Sequence, residues 1–158
     1  MSEMMKLQLL HVSCAHCGQD STVSVMPDGV HGQFVLRSET SLDEAFLDAV
    51  HDPTFDEVDT LLNQSHRMLG KDNWFRAHVL QRTYGEIACD PDSTGHAFRI
   101  GKLPNCPHCG RAVLNWQAIS PPQFVDREIP PATHGVWEHL SALQKEFRVD
   151  DVLERQGF

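Results

Sequence analysis

Two short segments constrain this chain more than anything else in it. Cys14-Ala15-His16-Cys17-Gly18 and Cys106-Pro107-His108-Cys109-Gly110 repeat one pattern, C-x-H-C-G, and 88 residues, Gly18 to Asn105, separate Cys17 from Cys106. A C-x-x-C-G run suits a tight turn whose backbone amides point at the sulfurs. Its glycine takes a positive φ that few other residues tolerate. Two such turns supply four thiolates, a complete tetrahedral shell for zinc at a Zn–S distance of about 2.3 Å. Amide hydrogen bonds and the dication keep those thiols deprotonated. The sequence therefore predicts one structural Zn2+ per chain, held by Cys14, Cys17, Cys106 and Cys109. Four cysteine ligands leave zinc no open position, so the site does not read as a catalytic metal.

The paired turns, each between candidate strands, resemble the zinc-ribbon family and its two rubredoxin-like zinc knuckles. The resemblance covers residues 14–18 and 106–110 with their flanking strands. It implies that the same four cysteines are the ligands. Ribbons commonly separate their knuckles by far fewer residues, so a ribbon here is split by an insertion, and the family's usual function does not carry over. Cys-Pro-His-Cys also resembles the active site of disulfide oxidoreductases of the thioredoxin superfamily, where the first Cys sits at a helix N-terminus. Gly110 after the pair and the matching Cys14 and Cys17 favour the knuckle reading. His16 and His108 read as solvent-facing knuckle residues and Cys89 as a buried free thiol.

Hydrophobic periodicity fills in the rest. Residues 7–12 and 21–26 read as strands, the second from strict alternation. Pro27-Asp28-Gly29 is turn chemistry, and Gln33-Phe34-Val35-Leu36 reads as a third strand. Ser41-Leu42-Asp43-Glu44 has the form of a capping box, which predicts a helix burying Leu42, Phe46, Ala49 and Val50. Asp52-Pro53 predicts a second helix with Phe55, Val58, Leu61, Leu62 and Leu69 in its stripe and Gly70 at its end. Asp72 caps a segment through Trp74, Phe75, His78 and Val79 that fits helix or strand. Residues 97–102 and 112–119 read as strands flanking the second knuckle. Pro121-Pro122 and Pro130-Pro131 bracket an irregular connector. Val136, Trp137, Leu140, Leu143 and Phe147 repeat at helical spacing, with a short helix from Asp150. The expected fold is α+β in a single domain: a zinc-ribbon β base (7–36 and 97–119), a mostly helical insertion (41–88), and C-terminal helices (133–156) packed on it.

Charge bears on partners. Lys and Arg total 13 and Asp and Glu 22, a net of −9, which disfavours a phosphate-binding surface. Residues 38–66 hold eight acids and no Lys or Arg. Helix first turns explain part of that, but Glu44 and Asp48 would be a like-charge i,i+4 pair on the expected helix. Asp43, Glu44 and Asp48 are therefore the expected contact points for a basic protein partner. The longest run of apolar residues is three, far short of the roughly 20 that a membrane span needs. The N-terminus has no secretory pattern, so a cytoplasmic location is expected, where CxxC pairs serve metal or redox chemistry.

The sequence reading is a non-enzymatic cytoplasmic zinc-binding protein that acts through protein–protein interaction, as an adaptor or a neutraliser of a basic partner. Two alternatives stand beside it. One is nucleic-acid binding through Arg67, Lys71, Trp74, Phe75, Arg76 and Arg82. The other is thiol-redox catalysis by Cys106 and Cys109. No H-E-x-x-H, G-x-S-x-G, P-loop or G-x-G-x-x-G pattern is present.

Overall fold

The computed structural model describes residues 3–158. Over these residues the chain is α+β, with two antiparallel sheets and four α-helices. β1 (Glu3–Ser13) is the axis of the first sheet. β2 (Asp20–Val25) pairs with one of its edges through Gln8–Ser13. Two strands share the opposite edge: β6 (Asn115–Ala118) pairs with Leu10–Ser13, and β7 (Phe124–Ile129) with Glu3–Gln8. The second sheet has the order β4 (Glu44–Asp48), β3 (Gln33–Ser38), β5 (Phe98–Ile100).

The second sheet is the middle layer. Successive strand residues point to opposite faces. Leu36 of β3, Ala45 and Leu47 of β4, and Phe98 of β5 pack into the main core with the helices. Val35 and Phe46 point the other way and meet Met5, Leu7 and Ile129 of the first sheet. The helical layer is α1 (Pro53–Gln64), α2 (Asn73–Ala88), the short α3 (Gly135–Glu138) and α4 (Ala142–Arg155). It contributes Val58, Leu62, Val79, Tyr84, Ile87, Trp137, Val149, Val152 and Leu153. Among the described residues, no helix is long and apolar enough to cross a membrane.

β1 serves two cores with its two faces. Met5 and Leu7 pack between the sheets, whereas Leu10 and Val12 pack with Val23, Val113, Cys14 and Cys106 in a separate small cluster. The odd positions are buried in its first half and the even positions in its second, so one continuous strand joins the cysteine turns to the rest of the molecule.

Local capping follows the sequence in most places. Asp52 accepts from the Thr54 amide (2.9 Å) with Pro53 at the first helical position, and Asp72 accepts from the Phe75 amide (2.8 Å). Residues 73–88 are helical. α2 lies so close to β5 that a Cβ added at Gly85 would sit 2.0 Å from the Phe98 carbonyl oxygen. Gly85→Ala should gain up to about 1 kcal/mol in helix propensity and lose more by pushing backbone from backbone. The expected net destabilisation is about 2 kcal/mol, measurable by urea unfolding. An unchanged midpoint would show that α2 can move off β5 freely.

Four expectations need correction. Residues 44–48 form β4, not a helix. Ala45, Leu47 and Ala49 alternate inward with period two, and the β3 edge offers ladder partners from Gln33 to Arg37. Ser41 Oγ does not accept from the Glu44 amide as a capping box requires. It accepts from the Asp43 amide (3.3 Å) and donates to Asp92 (2.9 Å), and Leu42 and Val50 are exposed. α1 stops at Gln64, and a single 3-10 turn, His66–Met68, leaves Leu69 exposed. The connector between the two Pro-Pro pairs is largely β7, held by pairing with a strand more than a hundred residues earlier in the chain. The C-terminal helix is broken between Glu138 and Ala142. A true capping box forms at Ser141, where Ser141 Oγ accepts from the Gln144 amide and Gln144 Oε1 accepts from the Ser141 amide. The break resets the helical phase, so Leu143 and Phe147 point outward while Val149, Val152 and Leu153 face the core.

Candidate metal centre

The two cysteine turns are built alike. In the first, the Cys14 amide donates to Gln19 O (3.0 Å) and the Gly18 amide to Cys14 O (2.9 Å). In the second, the Cys106 amide donates to Arg111 O (2.8 Å) and the Gly110 amide to Cys106 O (2.8 Å). Gly18 and Gly110 both take a positive φ, 72° and 78°. The repeated sequence thus folds into repeated backbone. The first turn leaves the end of β1, and the second lies between β5 and β6.

The turns face each other and bring the four sulfurs within 4.8 Å of one another. Cys14 Sγ lies 3.6 Å from Cys109 Sγ, and Cys17 Sγ lies 3.7 Å from Cys106 Sγ. Cys14 and Cys106 are buried against Leu10, Val12, Val23 and Val113, while Cys17 and Cys109 are exposed. The four cysteines named from the sequence are therefore positioned to hold one metal ion. The turns also prepare the sulfurs for thiolate chemistry. The Cys17 amide, with that of His16, lowers the Cys14 thiol to about 6. The Gln19 amide favours the Cys17 thiolate, but removal from water and the neighbouring sulfurs outweigh it and push Cys17 up to about 11. Cys109 is raised in the same way, against the pull of the Arg111 amide. Four sulfurs this close cannot all ionise without a cation among them, and a bound metal displaces the protons they would otherwise keep.

Asn105 fastens the second turn to the middle layer. It is buried, its amide donates to Glu39 O (3.2 Å) and Ser41 O (3.4 Å), and its oxygen accepts from Lys102 Nζ (2.6 Å). Cys106 opens a turn, not a helix, so the helix-terminus activation of a thioredoxin-type cysteine lacks its structural element here. His16 and His108 are exposed on the knuckles. Cys89 is buried away from the four, and burial, with Asp52 and Asp90 nearby, pushes its thiol up.

The acids expected to meet a partner are occupied within the fold. Glu44 sits between two guanidiniums: Arg37 Nε donates to it at 3.1 Å, and Arg127 donates to it from the first sheet. Its side chain is only 14% exposed, so it is not part of an outward acidic face. Arg37 is itself buried and also donates to Ser24 O and Lys102 O. Asp43 accepts from the Ser93 amide and hydroxyl, and Asp48 pairs with His51 at 2.9 Å. In the expected basic stretch, Arg67 donates to Phe158 O, and Arg76 to Lys71 O and Met68 O. Both guanidiniums satisfy backbone carbonyls.

Sequence reasoning missed two polar centres. One is the Arg37–Glu44–Arg127 clamp, whose members are too distant in sequence to signal one another. The other is Asp92. Burial opposes its charge, yet the Ser38 hydroxyl, the His96 amide, and the Thr94 and Ser41 hydroxyls hold its carboxyl well below the usual range. Asp92 sits in the polar segment of residues 89–95, and its partners on Ser38 and Ser41 are visible only in the fold.

No family model, curated protein or solved structure matches this chain.

Proposed function

We propose that the metal is zinc, that the paired turns form a zinc ribbon split by the intervening layer, and that the protein works without catalysis by binding a basic protein partner. The sulfur spacing carries the four-thiolate metal site, and zinc is the ion we assign to it. A tetrahedral tetrathiolate with Zn–S near 2.3 Å has sulfurs about 3.8 Å apart, close to the 3.6 and 3.7 Å found here. Such a shell is closed, which fits a structural ion.

The exposed side of α4 supports the partner reading. Leu143 and Phe147 lie one turn apart and are 75% and 73% exposed. Glu146, exposed, falls beside them on the same helix, with Asp150, which also accepts from the Ser65 hydroxyl, and Asp151, which also pairs with Arg155. An apolar centre with an acidic rim suits a partner that offers an apolar anchor surrounded by Lys or Arg. We move the expected contact here from the 43–48 segment because Glu44, its central acid, is clamped by Arg37 and Arg127 with its side chain only 14% exposed.

Elemental analysis of protein purified without added metal should give one zinc per chain. Affinity capture from the native host should be run in parallel with the parent chain, Leu143→Ser/Phe147→Ser, and Asp43→Asn/Asp48→Asn. A basic partner retained by the parent and the second variant, and weakened about 30-fold by the first, is the expected result. Equal retention by all three would remove α4 as the interface.

A further inference from the structure

The close seating of α2 on β5 that Gly85 permits leaves an open cleft beside it. His78 and Arg82 from α2, and Arg99 and Lys102 from β5 and the turn after it, line a cavity of about 270 Å³. The chain as a whole carries −9, yet these four are the basic residues of one small opening. Arg99 pairs with Glu39 at 2.8 Å. Lys102 Nζ donates to Leu103 O and Asn105 Oδ1, which leaves one of its three protons for another acceptor. Arg82 is exposed and makes no hydrogen bond or ion pair among the described residues. Burial and the charges of Arg37 and Arg99 lower the Lys102 pKa, against the pull of Glu39. Like charges have gathered here at a cost to one another.

We infer that this cleft binds the phosphate group of a small phosphomonoester. Three cations against one carboxylate leave two positive charges, and a phosphomonoester is nearly a dianion at neutral pH. Arginines from a helix and a strand both line the cavity, and a guanidinium can take phosphate oxygens in paired hydrogen bonds. The volume holds the phosphate and a small attached group, at the low end of small-molecule sites. A carboxylate would neutralise half of the excess charge. A nucleic-acid strand needs a row of cations, and Arg67 and Arg76, the other guanidiniums of the 67–82 stretch, are committed to backbone carbonyls. The inference does not rest on the partner surface of α4, which faces away from α2 and β5.

The test is calorimetric titration of the full, metal-loaded chain with phenyl phosphate, inorganic phosphate, benzoate and an unphosphorylated oligonucleotide, with amide NMR shifts to locate binding. Phenyl phosphate and inorganic phosphate should bind with similar affinity, benzoate at least about tenfold more weakly, and the largest shifts should fall on residues 78–82 and 99–102. Arg82→Glu, at an exposed position the fold does not use, should weaken phenyl phosphate at least about tenfold. Lys6→Gln, on the first sheet, should leave it unchanged. The inference is overturned by no phosphate binding at about 10 mM, by equal binding to Arg82→Glu, by shifts located elsewhere, or by tighter binding of the oligonucleotide than of phenyl phosphate.

Discussion

Cys106→Ser should purify without metal and melt about 10 °C or more below the parent chain. Cys106 is fully buried, at the centre of a cluster with only six buried side chains, two of which are themselves metal-site cysteines. So small a core cannot hold β1, β2 and β6 together unaided. In comparably small metal sites, ion binding supplies about 10–16 kcal/mol of folding free energy. Retaining even a third of that as a stability difference moves the melting temperature by about 2–4 °C per kcal/mol in a chain of this length. Cys14→Ser should behave alike, because Cys14 is equally built into the cluster. Cys89→Ser serves as the control: its thiol packs with the helices, so that variant should keep the full metal content. Full metal content in Cys106→Ser, or equal metal loss in Cys89→Ser, would remove the four-cysteine site.

Glu44→Ala should cost about 3–5 kcal/mol, the penalty for leaving a buried charge without its partner. Arg37 is 5% exposed and has no other carboxylate within ion-pair distance among the described residues. The same substitution frees Arg127, so the two sheets also lose the Glu44–Arg127 pair and keep the Arg37–Ser24 contact. The double variant Glu44→Ala/Arg37→Met should recover part of the loss, because it removes the stranded charge along with its partner. Thermal or urea unfolding of the two variants is the measurement. A Glu44→Ala chain as stable as the parent would mean that Glu44 is a solvated surface acid, and would return it to the candidates for partner contact.

The metal centre was legible in the sequence because its chemistry is local. Each knuckle needs only five residues, and each carries its ligands and its glycine within them. The helix start at Asp52 was legible for the same reason, whereas the residues after Asp72 fitted helix and strand alike until the fold made them α2. The expected helix at 41–50 failed because Leu42, Phe46, Ala49 and Val50 fit period 3.6 while Ala45, Leu47 and Ala49 fit period two, and only the neighbouring β3 edge decides between them. β7 was hidden because its ladder partner is at the other end of the chain and prolines bracket it. The outward turn of Leu143 and Phe147 depends on a three-residue break that helical spacing alone does not reveal.

The 88 residues between the knuckles also set an order of events during synthesis. β1 and β2 leave the ribosome early, with Leu10, Val12 and Val23 uncovered and with Cys14 and Cys17 as half of a metal site. At translation rates of roughly 5–20 residues per second, Cys106 follows about 5–20 s later, and β7, which covers the first half of β1, later still. β1, made long before its partners β6 and β7, is thus among the last strands to be enclosed. Through that interval two nearby thiols stand open to oxidants and to competing metals. The nascent chain's vulnerability to disulfide formation should therefore be concentrated at Cys14 and Cys17, and it should end when the second knuckle arrives.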